Sequence, residues 1–348
     1  MPTFKAEQLH ELGMRIFLGF GVDEEDARCV MDHLIQANLM GHDSHGVVRI
    51  KDYVNEIKEG KINVRVKPEI IHETETTAII DGRWQFGQVI AKMGMETAIR
   101  KAEEHYVGAV GLIHCNHIGR LGAYAQMAAE RGMIGLVMCN SGPPGGIVAP
   151  YGGRKPRLST NPIAAAVPTG KGKPFLMDFA TSVVAEGKVR IKYFKGEKVP
   201  PGWILDKDGN PTDDPGKLYD GGMLQTFGGH KGYALSLLID ILGGALTGAG
   251  CTCGKEYTGG NGTFMMALNV EGFTSKDKFL MRVDEVLTKI RETPTLPNVE
   301  RVMIPGEPEF ETMEVRQVKG IYITDKTWED LTNLAREVGL NVEDILKH

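Results

Sequence analysis

Gly41-His42-Asp43-Ser44-His45-Gly46-Val47-Val48-Arg49 is the stretch on which the reading of this chain turns. It sets a proton carrier, His45, four residues before a fixed cation, Arg49. A helix starting at Ser44 would bring both side chains to one face. Val47, Ile50, Val54 and Ile57 then form an apolar stripe, with His45, Arg49, Asp52 and Glu56 roughly opposite. Ser44 is suited to cap such a helix and Gly60 to end it. A small acid with a carbonyl or hydroxyl beside its carboxylate needs this pair of groups. Arginine holds the carboxylate in a two-point fork, and histidine exchanges a proton near neutral pH. The same spacing also fits a solvated face on which Arg49 pairs with Asp52 or Glu56, so the spacing alone leaves both readings open.

The rest of the chain bounds the problem. Its 348 residues suggest about two domains. A net charge of −5, a pI near 6.1 and the lack of a long basic run argue against nucleic acid or an anionic membrane as partner. Met1 to Glu11 has no signal-peptide pattern. The longest apolar run, Tyr233 to Ala249, is broken by Asp240 and reads as a buried helix. Five cysteines (29, 115, 139, 251 and 253) are sparse and odd in number, as expected of reduced thiols in a cytoplasmic protein.

Periodicity predicts three helices in the first sixty residues, with Asp23 capping the second. It predicts a hairpin over Glu69–His72 and Thr76–Asp81, a helix over 88–105 and a strand over 109–113. A helix ending at Arg131-Gly132 follows, then strands at 134–138, 163–167 and 175–179 and a helix over 182–194. Residues 195–222 read as turns, with Lys207-Asp208-Gly209-Asn210 as a hairpin tip. The remainder reads as a helix over 231–248, a strand over 264–270, a helix over 276–293, a loop through Pro305-Gly306-Glu307, a strand at 321–324 and a final helix. Strands alternating with helices make the class α/β or mixed α+β. The long connections argue against a plain doubly wound sheet.

Two further polar clusters stand out. Asn116-His117-Ile118-Gly119-Arg120-Leu121-Gly122 lies between a predicted strand and a predicted helix start, where free backbone N–H groups suit phosphate. It also reads as a helix entry capped by Asn116. Gly228-Gly229-His230-Lys231-Gly232-Tyr233 precedes the long apolar helix and reads as a diphosphate-holding turn or a tight packing turn. Neither a Gly-x-Gly-x-x-Gly fingerprint nor a Gly-x-x-x-x-Gly-Lys-Ser/Thr loop occurs. The pairs His42/His45, His114/His117 and Cys251/Cys253 leave a metal-dependent hydrolase as a different class of reading, although zinc usually needs better separated pairs.

Together the motifs resemble the malate/L-lactate dehydrogenase-like oxidoreductases, a family that includes sulfolactate, ureidoglycolate and diketogulonate enzymes. The matching pieces are Asp43-Ser44-His45-Gly46 with Arg49, Asn116-His117-Ile118-Gly119, Ser159-Thr160-Asn161-Pro162, Met177-Asp178-Phe179-Ala180-Thr181-Ser182, Gly229-His230-Lys231-Gly232-Tyr233 and Pro305-Gly306-Glu307. They occur in the family's order and span nearly the whole chain.

The resemblance implies a non-Rossmann NAD(P)-binding fold of the sulfolactate dehydrogenase type, in keeping with the missing fingerprint. It implies a helical N-terminal region (1–60), a large domain (61–115 plus 297–348) and an inserted cofactor-binding domain (116–296), assembled as a homodimer. It makes His45 the proton donor, oriented by Ser44, and sets Arg49 and Thr160 on the substrate. His117 lies at the reacting centre. His117, Ile118, Gly119, Arg120, Leu121, Asn161, Asp178, Phe179, Ala180, His230, Lys231, Pro305, Gly306 and Glu307 face NAD or NADP. The expected reaction is hydride transfer with a small 2-hydroxy or 2-oxo acid of the malate, lactate or sulfolactate type. Ureidoglycolate oxidation and cyclic imine reduction are the family alternatives. In the family's imine reductases an aspartate follows the glycine in the helix after the Asp178 strand. Here Lys188 follows Gly187, which suits an acidic substrate better.

Overall fold

The computed structural model describes residues 2–346; residues 1, 347 and 348, at the ends of the expected N-terminal and large-domain segments, lie outside the described residues. After a two-residue strand β1 (Thr3–Phe4), Leu9, Leu12, Ile16 and Phe17 recur at helical spacing and are buried by one side of α1 (Ala6–Gly19). Helices α2 (Glu24–Leu39) and α3 (Arg49–Lys58) complete the three expected helices. Asp23 occupies the cap position of α2, but its side chain makes no capping bond.

The expected hairpin is β2 (Glu69–Glu73) and β3 (Thr77–Asp81), followed by α4 (Gly87–His105), β4 (Val107–Ile113), α5 (Leu121–Glu130) and β5 (Met133–Cys139). Then come β6 (Ile163–Val167), β7 (Phe175–Phe179) and α6 (Glu186–Lys195). A small three-stranded sheet holds β8 (Ile204–Leu205), β9 (Pro211–Thr212) and, after α7 (Gly216–Tyr219), β10 (Met223–Leu224). The turn through Lys207-Asp208-Gly209-Asn210 joins β8 to β9, as expected. The long apolar helix is α8 (His230–Asp240), which passes into a π-helical turn, Ile241–Leu246. The chain ends with β11 (Thr263–Asn269), α9 (Lys276–Arg291), α10 (Glu307–Lys319), β12 (Ile321–Tyr322), α11 (Asp325–Glu337) and α12 (Val342–Leu346). Helix α10 stands where the sequence suggests only loop and strand. Its first two turns carry Glu307, Pro308, Glu309, Glu311 and Thr312, and Phe310 is its one buried side chain, so no apolar stripe announces it.

One seven-stranded mixed sheet, ordered β2-β3-β4-β11-β5-β6-β7, positions everything else. Only β3 and β4 pair in parallel; the remaining neighbours are antiparallel. Strand β11, more than a hundred residues after β5, inserts between β4 and β5. Strands from both sides of the boundary expected at 115/116 therefore share one sheet. Helices α4 and α5 cover one face, where a Cβ on Gly108 would fall 2.0 Å from the Ala98 carbonyl and one on Gly135 2.3 Å from that of Ala125. Glycine at these points lets helix backbone press on strand backbone. On the alternate face Gly111 meets Thr247, just after the π-helical turn. A second core joins α1–α3 to the C-terminal segment through Ile321, Ile323, Leu331 and Leu334.

Candidate active site

The His45 turn is shaped by Asn38, at the end of α2. Asn38 Oδ1 accepts from the Val47 N–H at 2.8 Å, and its Nδ2 donates to Asp43 Oδ1 at 2.7 Å. A Cβ on Gly46 would lie 2.1 Å from Asn38 Oδ1, so only glycine lets the turn pass this close. Residues Asp43–His45 form a separate 3-10 turn. Here the structure corrects the expected helix start: α3 begins at Arg49, and Ser44 does not cap it, because Asn38 takes up the Val47 N–H. The Ser44 hydroxyl instead lies 3.0 Å from His45 Nδ1. Arg316 of α10 holds the turn from outside, donating to both carboxylate oxygens of Asp43 at 2.6 and 3.0 Å and to the Asn38 carbonyl at 2.5 Å. Arg49 makes the Asp52 pairing that the solvated-face reading expects and also braces the turn. Its Nε donates to the Ser44 carbonyl at 2.8 Å, and its Nη1 lies 3.2 Å from Asp52 Oδ2.

His117 reaches the same place from the loop between β4 and α5. Its ring stacks on His45 with centroids 5.5 Å apart and planes 24° apart. Its Nδ1 is 2.8 Å from the Tyr53 hydroxyl, which receives a bond of 2.7 Å from Gln88 Nε2. The loop is pinned by Ile118 N–H to Asn261 Oδ1 (3.0 Å) and by Arg120 N–H to His33 Nε2 (2.9 Å). Burial, then Arg49, His42 and Arg120, lower the His45 imidazole to about 4. Burial, then Arg49, His45 and His33, hold His117 well below the usual histidine range. Asn38, Tyr53, Gln88, Arg316 and Asn261 escape the sequence reading. Only Tyr53 carries a signal, standing one helical turn after Arg49.

The remaining expected residues line up along β7, the edge strand. Asp178 Oδ2 accepts from the Gly122 N–H at 2.7 Å, and burial pushes its carboxyl up to about 6 against the opposing pull of Arg120. Arg120 itself is 3 % exposed; its Nη2 lies 3.3 Å from Gln36 Oε1, while its Nε and Nη1 have no partner. Leu176 donates to the Pro305 carbonyl at 3.0 Å, which seats the Pro305-Gly306-Glu307 loop on the open edge of β7. The Glu307 carboxylate is engaged there by Ile304 N–H (2.8 Å) and Arg291 Nε (2.6 Å). Beyond β7, Phe179 meets Phe227 edge-on, and Thr181 Oγ1 donates to the carbonyls of Thr160 (3.0 Å) and Asn161 (2.9 Å). Asn161 Nδ2 donates to Ser236 in α8, leaving Oδ1 unpartnered. His230 and Lys231 open α8, both exposed.

The metal-dependent hydrolase reading is not supported. No group of three or more metal-ligating side chains comes together among the described residues. His114 turns away from His117 to pair with Asp81 at 2.9 Å.

The site thus brings a stacked histidine pair beside an arginine, on a mixed sheet without a dinucleotide fingerprint. Residues 4–332 match the malate/L-lactate dehydrogenase family, and the chain belongs to it. A malate dehydrogenase of Pyrococcus abyssi is 43 % identical over 345 residues, covering 96 % of this chain and 94 % of that protein. The solved sulfolactate dehydrogenase of Methanocaldococcus jannaschii superposes with a TM-score of 0.89 at 37 % identity, covering 99 % of each chain. The delta1-piperideine-2-carboxylate reductase of Pseudomonas syringae superposes with a TM-score of 0.86 at 29 % identity, covering 96 % of this chain and 100 % of that one. The protein is thus a 2-hydroxy acid dehydrogenase of a family that implies a nicotinamide cofactor. Among the described residues no helix is long and apolar enough to cross a membrane.

Proposed function

We propose that the protein interconverts a small 2-oxo acid and its 2-hydroxy acid, of the malate, lactate or sulfolactate type, using NAD or NADP. The observation that carries this reading is His45, held by Ser44, beside Arg49 and against His117. Arg49 grips the substrate carboxylate in a two-point fork, with Thr160 as a second substrate contact. His45 gives its proton to the 2-oxygen in reduction and takes it back in oxidation. A carboxylate at Arg49 offsets the positive charge that helps keep His45 neutral, so substrate binding raises the imidazole toward the range in which it carries a proton.

The residues fit a dinucleotide. Arg120 and Asn161 keep unpartnered polar atoms, Phe179 offers an aromatic face that is 40 % exposed, and Lys231 stands at the N-terminus of an eleven-residue helix that suits phosphate. His117, Ile118, Gly119, Leu121, Asp178, Ala180, His230 and the Pro305-Gly306-Glu307 loop complete the cofactor-facing set. When bound, the nicotinamide supplies or takes up the hydride. The same reading makes the protein a cytoplasmic homodimer. Its cysteines are free, and Leu237, Leu238, Ile241 and Leu246 leave an apolar face along α8 and its π-helical turn for a second copy.

Cyclic imine reduction is the competing reading, favoured by the reductase of similar fold. Lys188 argues for the acid, because it places a cation after Gly187 where the family's imine reductases carry an aspartate. The test is oxidation of NADH and of NADPH with oxaloacetate, pyruvate, sulfopyruvate, diketogulonate and one cyclic imine. Turnover of one 2-oxo acid is expected and names substrate and cofactor together. Turnover of the imine alone would overturn the assignment.

A further inference from the structure

Two histidines meet in this site, and the structure gives their Nδ1 atoms different partners. His45 faces a serine hydroxyl that can donate or accept. His117 faces Tyr53, whose hydroxyl is already the acceptor of a bond from Gln88 Nε2. The proton of Tyr53 therefore has one place to go, His117 Nδ1. A flipped Gln88 amide would strand both of its N–H donors in a buried position, whereas the observed orientation spends one of them on Tyr53 and leaves the other and Oε1 unpaired. Tyr53 and Gln88 are 3 % and 1 % exposed, so water does not compete for the bond between them.

We propose that Tyr53, backed by Gln88, is a positioning residue that locks His117 in the Nε2–H tautomer, making His117 a fixed neutral hydrogen-bond donor to the 2-oxygen while His45 alone changes its protonation. The inference rests on the dehydrogenase reading of the site. It divides the labour within the stacked pair: a neutral imidazole polarises the carbonyl, and its neighbour moves the proton. The groups around His117 agree with this. Arg49 and Tyr53 face it from α3, His45 from the 3-10 turn and His33 from α2. No carboxylate is among the groups that set its charge, and cations and burial both oppose a second proton. Burial also pushes the Tyr53 hydroxyl up, so it keeps the proton it donates.

The test combines a spectrum and a substitution series on the full chain. In the ¹⁵N imidazole spectrum, with His117→Asn used for assignment, His117 is expected to be protonated on Nε2 only, without change from pH 8 to pH 5. Tyr53→Phe keeps the ring and removes the lock. It is expected to lower kcat roughly 10- to 100-fold, leave the cofactor KM unchanged and add a second ionisation to the pH–rate profile. Gln88→Glu accepts the Tyr53 proton and reverses the relay, so its loss matches that of Tyr53→Phe; Gln88→Leu leaves the Tyr53–His117 bond and costs only about threefold. Protonation of His117 on Nδ1 in the unaltered protein, or equal losses in Gln88→Glu and Gln88→Leu, would overturn the proposal. If no 2-oxo acid is turned over, the function falls, while the imidazole spectrum still decides the tautomer.

Discussion

The histidine pair with its supports, the floor of this site, and the open residues around β7 and α8, its rim, are built on opposite principles. On the floor, Ser44, His45, Tyr53, Gln88 and His117 meet through bonds of 2.7 to 3.0 Å, with Asn38 and Arg316 fixing the turn beneath them. On the rim, Phe179, His230 and Lys231 are open to solvent. The difference teaches that orientation is set by hydrogen bonds backed by buried side chains, Tyr53 and Gln88, while a large charged ligand is met where side chains remain free to adjust.

The comparison can be broken most directly at His45. His45→Ala should cut turnover by about 10²- to 10⁴-fold while leaving nicotinamide binding intact, read by fluorescence titration of the reduced cofactor. A near-normal rate would remove the proton-transfer role from the floor. Arg49→Lys is next: losing the fork should lower kcat/KM for 2-oxo acids about 10- to 100-fold, mainly through KM. Unchanged kinetics across several acids would take Arg49 out of substrate binding.

The floor should also make the fold acid-sensitive. His33 and His45 have imidazoles lowered to about 3 and about 4 by burial, so the unfolded chain, with ordinary histidines, binds more protons as pH falls. The stability they contribute is complete above pH 6.5 and is lost as pH falls toward 4 and then 3, at up to about 1.4 kcal/mol per unit for each group. Asp178 opposes this. Its carboxyl, raised to about 6, contributes stability at low pH that is lost as pH rises through that value. Denaturant midpoints between pH 7 and pH 4 should fall, and fall more steeply in Asp178→Asn; a flat profile in both would contradict the buried floor. The smallest effect belongs to the rim. Lys231→Ala should raise the cofactor KM only severalfold, less at high salt, because an exposed charge is screened. A loss as large as that of His45→Ala would mean that the rim is held as rigidly as the floor.

Much of the fold is readable from local pattern. The short continuous apolar run of β5 and the strong apolar stripe of α1 mark those elements where they stand. Helix α10 is hidden because it buries only Phe310, although its Arg316 clamps the His45 turn from more than 270 residues away. Sequence pattern places the start of α3 too early by four residues or so because Asn38, not Ser44, takes up the free N–H. Gln88 gives no signal, since nothing in the run of α4 distinguishes it from a surface glutamine.

By itself the sequence determined the residue types and their order: Ser44-His45, Arg49, His117, Asp178 and His230-Lys231, with an α/β alternation to carry them. These depend on side-chain chemistry and short-range periodicity, both of which act within a few residues. Only the tertiary structure decided that β11 separates β4 from β5, that His117 stacks on His45, and that Tyr53 and Gln88 stand behind it. Those contacts join segments 35 to about 160 residues apart, and they form because burying polar groups without partners is costly, so the folded core must bring each donor to an acceptor.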